Sequence, residues 1–227
     1  MTEKEVAVVV GAGPGLGYAL VERFAQAGMT VAAVSRKGIA PKLQKGRSTA
    51  RGYACDATLG DQVKTTFAQV TAELGPPDVV VFNVGTWDRA GIVEISDELF
   101  LQAWRTGCFG GFLVGRAAAE AMLPRGRGTI LFTGATGSIR GAAGFAAFAV
   151  PKFGLRALAQ SMARELGPKG IHVGHVIIDG MIGQEGEAPQ QGFLRPSEIA
   201  EAYYQLHRQK PSAWTHEIDL RPAVEKF

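Results

Sequence analysis

The chain has 227 residues, 46% of them hydrophobic and 20% charged, with a net charge of +3 at pH 7. That length and composition belong to a globular protein able to bury a full core, and exclude a disordered or fibrous chain. The small net charge, with no block of one sign, argues against nucleic-acid and membrane-surface partners.

Apolar runs and helical periods alternate along the sequence. The opening MTEKEVAVVV lacks the basic start and long apolar run of a secretory signal, which predicts a cytoplasmic protein. Val6–Val10 is a β-branched run, the mark of a buried strand. Leu16, Leu20 and Phe24 follow at helical spacing, and Gly28 closes that helix. Thr30–Val34 reads as the second strand and Gly52–Cys55 as a short third. Val63, Phe67, Val70 and Leu74 mark the next helix, which Gly75, Pro76 and Pro77 stop. Val79–Phe82 is a strand, a helical region spans Leu99 to Leu123 before Pro124, and Thr129–Thr133 is a strand. Ala146–Leu166 is a helix and Ile171–Ile178 a strand. Ile199, Ala202, Tyr203 and Leu206 line one face of a late helix, and Trp214–Leu220 reads as the last strand.

This alternation predicts an α/β fold, a doubly wound parallel sheet with helices on both faces, over residues 1–227 as a single domain. Two segments read as loops, Arg36–Arg51 and Gly183–Arg195. The second suits a lid over a ligand, residues 183–195. Cys55 and Cys108 are far apart, without metal-ligand spacing, and read as reduced thiols. No metal site is expected. His172 and His175 alternate with valines along one strand and lack a nearby carboxylate or thiolate in sequence.

The first strand runs into Gly11-Ala12-Gly13-Pro14-Gly15-Leu16-Gly17 and then a helix. A glycine-rich turn there lets backbone approach a pyrophosphate, and the free N–H groups of the helix start point at it. The spacing is G-x-x-x-G-x-G, carried by Gly11, Gly15 and Gly17, with Leu16 where the commoner fingerprint has glycine. After the second strand no acid stands ready for a ribose 2′-hydroxyl. Arg36 and Lys37 put positive charge where a 2′-phosphate would lie, which favours NADP(H) over NAD(H).

With these features the chain resembles the short-chain dehydrogenase/reductase family, over essentially its whole length. The resemblance rests on Gly11, Gly15 and Gly17, on Asp56 after the third strand, on Asn83 and Gly85 after the fourth, and on Lys152 in a long helix. The passage from Ala163 to Val173 is similar to the family's helix-to-strand connection. The resemblance implies a Rossmann-type domain, a nicotinamide cofactor, a small-molecule substrate and a homodimer or homotetramer. It implies that Asp56 bonds the adenine amino group, that Asn83 and Gly85 shape the ribose passage, and that Lys152 holds the nicotinamide ribose.

The departures from the family gather at the chemistry. Its proton-passing tyrosine, four residues before the lysine, is Phe148 here, and a phenyl ring has no exchangeable proton. Its serine falls on Ala135 and its asparagine on Gly107. Its Pro-Gly after the sixth strand reads Asp179-Gly180. The candidate replacements are Lys152 itself, since burial can lower a lysine pKa, the hydroxyls of Thr133, Thr136 and Ser138, and Asp179 at a strand's carboxyl end. Two readings stay open. One is an oxidoreductase with a non-standard proton donor or a substrate that needs none. The other is a cofactor-binding protein without turnover, acting as a sensor or an oligomer subunit. The segment from Trp214 to Pro222 reads as closing strand and interface rather than chemistry.

Overall fold

The computed structural model describes residues 4–39, 50–184 and 192–225. Its strands are β1 (Val6–Val10), β2 (Thr30–Ser35), β3 (Ala50–Ala54), β4 (Val79–Phe82), β5 (Gly128–Thr133), β6 (Ile171–Ile178), β7 (Met181–Ile182), β8 (Phe193–Leu194) and β9 (Glu217–Leu220). Its helices are α1 (Leu16–Gln26), α2 (Gly60–Leu74), α3 (Asp97–Trp104), α4 (Gly110–Met122), α5 (Ala146–Leu166) and α6 (Pro196–Arg208). Seven parallel strands pair in the order β3-β2-β1-β4-β5-β6-β9. The strand order reverses between β1 and β4, which opens the crevice where such sheets take ligands.

Every residue of β1, β4 and β6 is buried. That follows from helices on both faces and explains why these strands read as continuous apolar runs. One core, around Phe82, Phe132, Met122 and Leu155, lies against α2, α4 and α5. The other, around Val9, Phe24, Leu131 and Tyr203, lies against α1 and α6.

Several boundaries differ from the sequence expectation, by one residue at β2 and β5 and by more elsewhere. The third strand begins at Ala50. The helical region expected over Leu99–Leu123 starts at Asp97, with Ser96 accepting from the Leu99 amide, and is interrupted by a π turn at Arg105–Phe109. Gly107, Gly111 and Gly115 form a stripe facing α5. A Cβ at Gly107 would stand 3.0 Å from Pro151 Cβ, and one at Gly111 would stand 2.4 Å from Leu155 Cδ1. The stripe brings α5 close and seats Lys152. The last strand begins at Glu217 instead of Trp214, because Trp214 stacks flat on His172 with centroids 5.0 Å apart. The short parallel pair β7 and β8 has no periodic signal in two residues. Residues 185–191 of the expected lid lie outside the described residues. No helix among the described residues is long and apolar enough to cross a membrane.

Candidate functional site

A cleft runs along the carboxyl ends of β1, β2, β4, β5 and β6. Two cavities form it, of about 730 Å³ and 580 Å³, and both are lined by Asn83, Val84, Gly85 and Thr86.

The larger cavity begins at the glycine turn. Gly11 has φ 93°, and a Cβ there would lie 2.5 Å from the Asn83 carbonyl oxygen. Gly17 passes so close to Gly11 that its own Cβ would lie 2.3 Å from Gly11 O. Neither position admits another residue without moving backbone. The Gly11 and Ala12 amides donate to Val34 O at 2.9 and 3.0 Å, which ties the turn to β2. Gly15 precedes α1 with φ 89° and offers no side-chain cap, and the first turn holds no acid. The Leu16 and Gly17 amides therefore belong to an uncapped helix N-terminus, a favourable place for a phosphate. Leu16 itself buries its side chain in the core.

Arg36 and Asp56 line the same cavity. The Asp56 carboxylate accepts from the Thr58 amide at 2.9 Å and the Thr58 hydroxyl at 2.7 Å. Those bonds, with the nearby Arg36 charge, hold its pKa below the usual carboxylate value. One oxygen thus shapes its own turn, a role beside the adenine contact implied by resemblance. The Asn83 amide group donates to Gly11 O at 3.4 Å and its backbone N–H to Val10 O at 2.8 Å, so this residue joins β4 to the glycine turn. Cys55 also lines this cavity, and burial pushes its thiol up, as it does that of Cys108.

Lys152 stands where the two cavities meet. It is buried, and its Nζ donates to Thr133 O at 2.8 Å. A Cβ on Gly85 would lie 3.3 Å from that Nζ, so the ammonium faces the passage between the cavities. Burial lowers its pKa to about 8.

The second cavity is walled by rings. Phe148 meets Trp87 edge to face at 4.8 Å, and Phe145 packs on both, at 5.4 Å from Trp87 and 6.3 Å from Phe148. Phe148 presses against the turn that carries Ala135, and a Cβ at Gly137 would lie 2.6 Å from Phe148 Cε1. From below, His175 presses on the same turn, since a Cβ at Gly134 would lie 2.3 Å from its Nε2. The turn is glycine at both places because a ring occupies each Cβ position.

The proposed hydroxyls are not equivalent. The Thr133 hydroxyl shares a 2.8 Å hydrogen bond with buried Tyr203 on the far side of the sheet, which corrects the expectation that it points into the site. Only its carbonyl serves Lys152. Ser138 is fully buried and accepts from the Ala135 amide at 3.1 Å. Thr136 donates to Asp179. Asp179 lines the cavity but is buried, and Arg221 lies 3.3 Å from its other oxygen.

The sequence reading missed a chain of charges behind this wall. Arg156 grips Glu217 with two bonds of 2.7 Å, and Glu217 lies 2.9 Å from His175 Nδ1. The hydrogen bonds from Arg156 hold Glu217 below its usual pKa. Burial depresses His175 to about 4. The imidazole is therefore neutral near pH 7, with its proton on Nδ1 toward the carboxylate. Glu217 and Arg221 both come from the segment expected to be closing strand and interface only. No signal within that segment pairs them with His175 and Asp179, because the contacts depend on parallel register across β6 and β9.

Comparison with known proteins places this geometry. The short chain dehydrogenase profile matches residues 5–186. The chain belongs to the short-chain dehydrogenase family. A 3-oxoacyl-acyl-carrier-protein reductase, MabA of Mycobacterium avium, is 30% identical over 78% of this chain and 67% of its own length. A short-chain dehydrogenase from Rhodopseudomonas palustris is 41% identical and superposes with a TM-score of 0.82, covering 96% of this chain and 98% of the other. An alcohol dehydrogenase of Thermococcus sibiricus, solved with 5-hydroxy-NADP, shares the fold at TM-score 0.84 and 22% identity, over 99% of both chains. Within the short-chain dehydrogenases this chain is an oxidoreductase-family member with a seven-stranded parallel sheet and a cleft at its switch point.

Proposed function

We propose that this protein is an NADP(H)-dependent oxidoreductase in which Lys152 supplies the proton that a tyrosine supplies in the family pattern. The observation that carries the reading is the buried Lys152 ammonium at the junction of the two cavities, with its pKa lowered to about 8. A general acid works best when its pKa is near the working pH.

The residues of the larger cavity fit a dinucleotide. The uncapped start of α1 suits the pyrophosphate, and the Arg36 guanidinium at the cavity wall suits a 2′-phosphate more than a bare hydroxyl. Asp56 keeps one carboxylate oxygen clear of Thr58 for an adenine amino group. When bound, the reduced nicotinamide provides a hydride. Lys152 uses one N–H on Thr133 O and has two more for ribose hydroxyls and the acceptor oxygen. Asp179 ties the Thr136 turn to Arg221 and shapes the cavity wall. The short-chain dehydrogenase relatives named above, a reductase and an alcohol dehydrogenase, perform chemistry of this class and support it.

The rival reading, cofactor binding without turnover, draws on Phe148, whose ring is held by Trp87, Phe145 and the Gly137 turn and offers no proton. NADPH fluorescence titration followed by NADPH oxidation with a carbonyl and quinone panel separates the two. Saturable binding with turnover that Lys152→Met removes supports the oxidoreductase. Binding with no turnover on any acceptor supports the rival, and no binding at sub-millimolar NADPH overturns both.

A further inference from the structure

The wall that replaces the usual proton donor is itself a binding surface. Trp87 is 62% exposed at the mouth of the second cavity. A surface tryptophan normally moves, but this one is held edge to face by both Phe145 and Phe148. Arg89 lies over the outer ring of the trio, 5.3 Å from the Phe145 centroid. Met181 and Ile182 add exposed apolar surface to the same cavity, and Ile178 lines its floor. A rigid ring that stays in water beside an apolar cavity is poised to stack on a flat ligand.

The charge in the cavity narrows the ligand further. Among the described residues, Lys152 and Arg140 are the cations lining it, and Asp179 and Glu225 the acids. Asp179 accepts from the Thr136 hydroxyl and shares Arg221 with Asp219. The site can therefore tolerate negative charge that develops on a bound ligand, beside Lys152, without a hydroxyl donor at position 148 or 135.

We infer that the substrate is a planar conjugated carbonyl acceptor of the quinone class, stacked on Trp87 with one oxygen turned to Lys152; this rests on the oxidoreductase reading above. Charge decides between acceptors. Hydride addition to a saturated ketone places charge on an alkoxide, whose conjugate acid has a pKa of about 16, similar to water. Addition to a quinone gives a phenolate-type oxygen, whose conjugate acid lies at about 10. The first demands a second donor on the carbonyl oxygen beside the ammonium during the step, and the second is met by the Lys152 ammonium alone. The balance is complete: the quinone gains a hydride, two electrons and one proton, from the reduced nicotinamide, which is left oxidised. The hydroquinone monoanion then takes its second proton from the Lys152 ammonium, and the amine recovers a proton from water.

The test uses 2,3-dimethyl-1,4-naphthoquinone, whose substituted ring resists thiol addition, and cyclohexanone as the saturated control. Binding is followed by calorimetry and by tryptophan quenching, separately from NADPH binding. The expected result is saturable binding that Trp87→Leu weakens at least about tenfold and Trp87→Phe largely restores, with NADPH affinity unchanged in both variants. NADPH oxidation should be at least about a hundredfold faster with the quinone than with cyclohexanone. Circular dichroism guards against misfolding of the variants. Quinone binding that ignores Trp87→Leu, or equal turnover of cyclohexanone, overturns the inference. If the quinone binds at Trp87 but NADPH does not bind, the oxidoreductase reading fails while the stacking surface stands.

Discussion

At the Gly11 end of the cleft the polypeptide is stripped back to bare backbone, while at the Lys152 end it is filled with rings. Around Gly11 and Gly17 the chain passes so near itself that side chains are excluded, Gly15 supplies a positive φ in open space, and the helix start is left open to a ligand. Around Ala135 and Phe148, aromatic and imidazole rings occupy the space where Cβ atoms would stand on Gly134 and Gly137. The contrast teaches that Phe148 is not a missing hydroxyl in an otherwise ordinary pocket. The turn beneath it, the tryptophan beside it and the histidine below are shaped to one another. The nucleotide end keeps the glycine turn of the family, and the proposed function gives the other end an acceptor of its own.

The contrast breaks most readily at Lys152, which lines the second cavity beside Gly85, a residue that both cavities share. Lys152→Met should lower turnover by about 10²–10⁴-fold, the range for loss of a general acid, with a loss of NADPH affinity of only about tenfold. Steady-state rates and NADPH titration read the two effects apart. At the nucleotide end, Gly17→Ala puts a methyl group against Gly11 O. That overlap should weaken NADPH by about a hundredfold, on the order of 3 kcal/mol, and leave quinone quenching of Trp87 intact.

The next effect concerns the buried imidazole below the turn. An unfolded histidine takes its proton near 6.5, and His175 resists it down to about 4. The unfolded chain therefore binds more protons between those values. Stability from this residue is fully present above pH 6.5 and is lost as pH falls toward 4, by up to about 3 kcal/mol. Burial lowers His172 and His207 as well, so they act in the same direction. Urea unfolding at pH 7 and pH 4.5 should show a smaller stability difference for His175→Gln than for the unaltered protein.

The smallest effect sharpens the cofactor choice. Arg36→Ala should weaken NADPH about fivefold, roughly 1 kcal/mol for an exposed charge, and leave NADH unchanged. Equal losses for both would remove Arg36 as the 2′-phosphate partner.

The two ends also differed in how much the sequence revealed. The strands at the sheet centre were legible because burial on both faces turns them into unbroken apolar runs, and Val79–Phe82 and Ile171–Ile178 begin and end as expected. The glycine turn was legible because close backbone approach admits few other residues. The reacting end was legible only as absences at Phe148, Ala135 and Gly107. What stands there instead is tertiary: Trp87 on a loop, His175 in one strand and Glu217 in another, brought together by sheet register. The misplacement of the Thr133 hydroxyl has the same origin, since a strand's alternation decides which face a side chain takes and Tyr203 claimed it from the far side.

The central claim, that Lys152 carries the proton at a site rebuilt around Phe148, is tested most directly by the pH profile of NADPH oxidation with the dimethylnaphthoquinone. With a Lys152 pKa of about 8, the rate should fall above that pH as the ammonium is lost, and the fall should vanish along with most of the rate in Lys152→Met. A rate that stays flat from pH 6 to pH 10 and survives in Lys152→Met would contradict it.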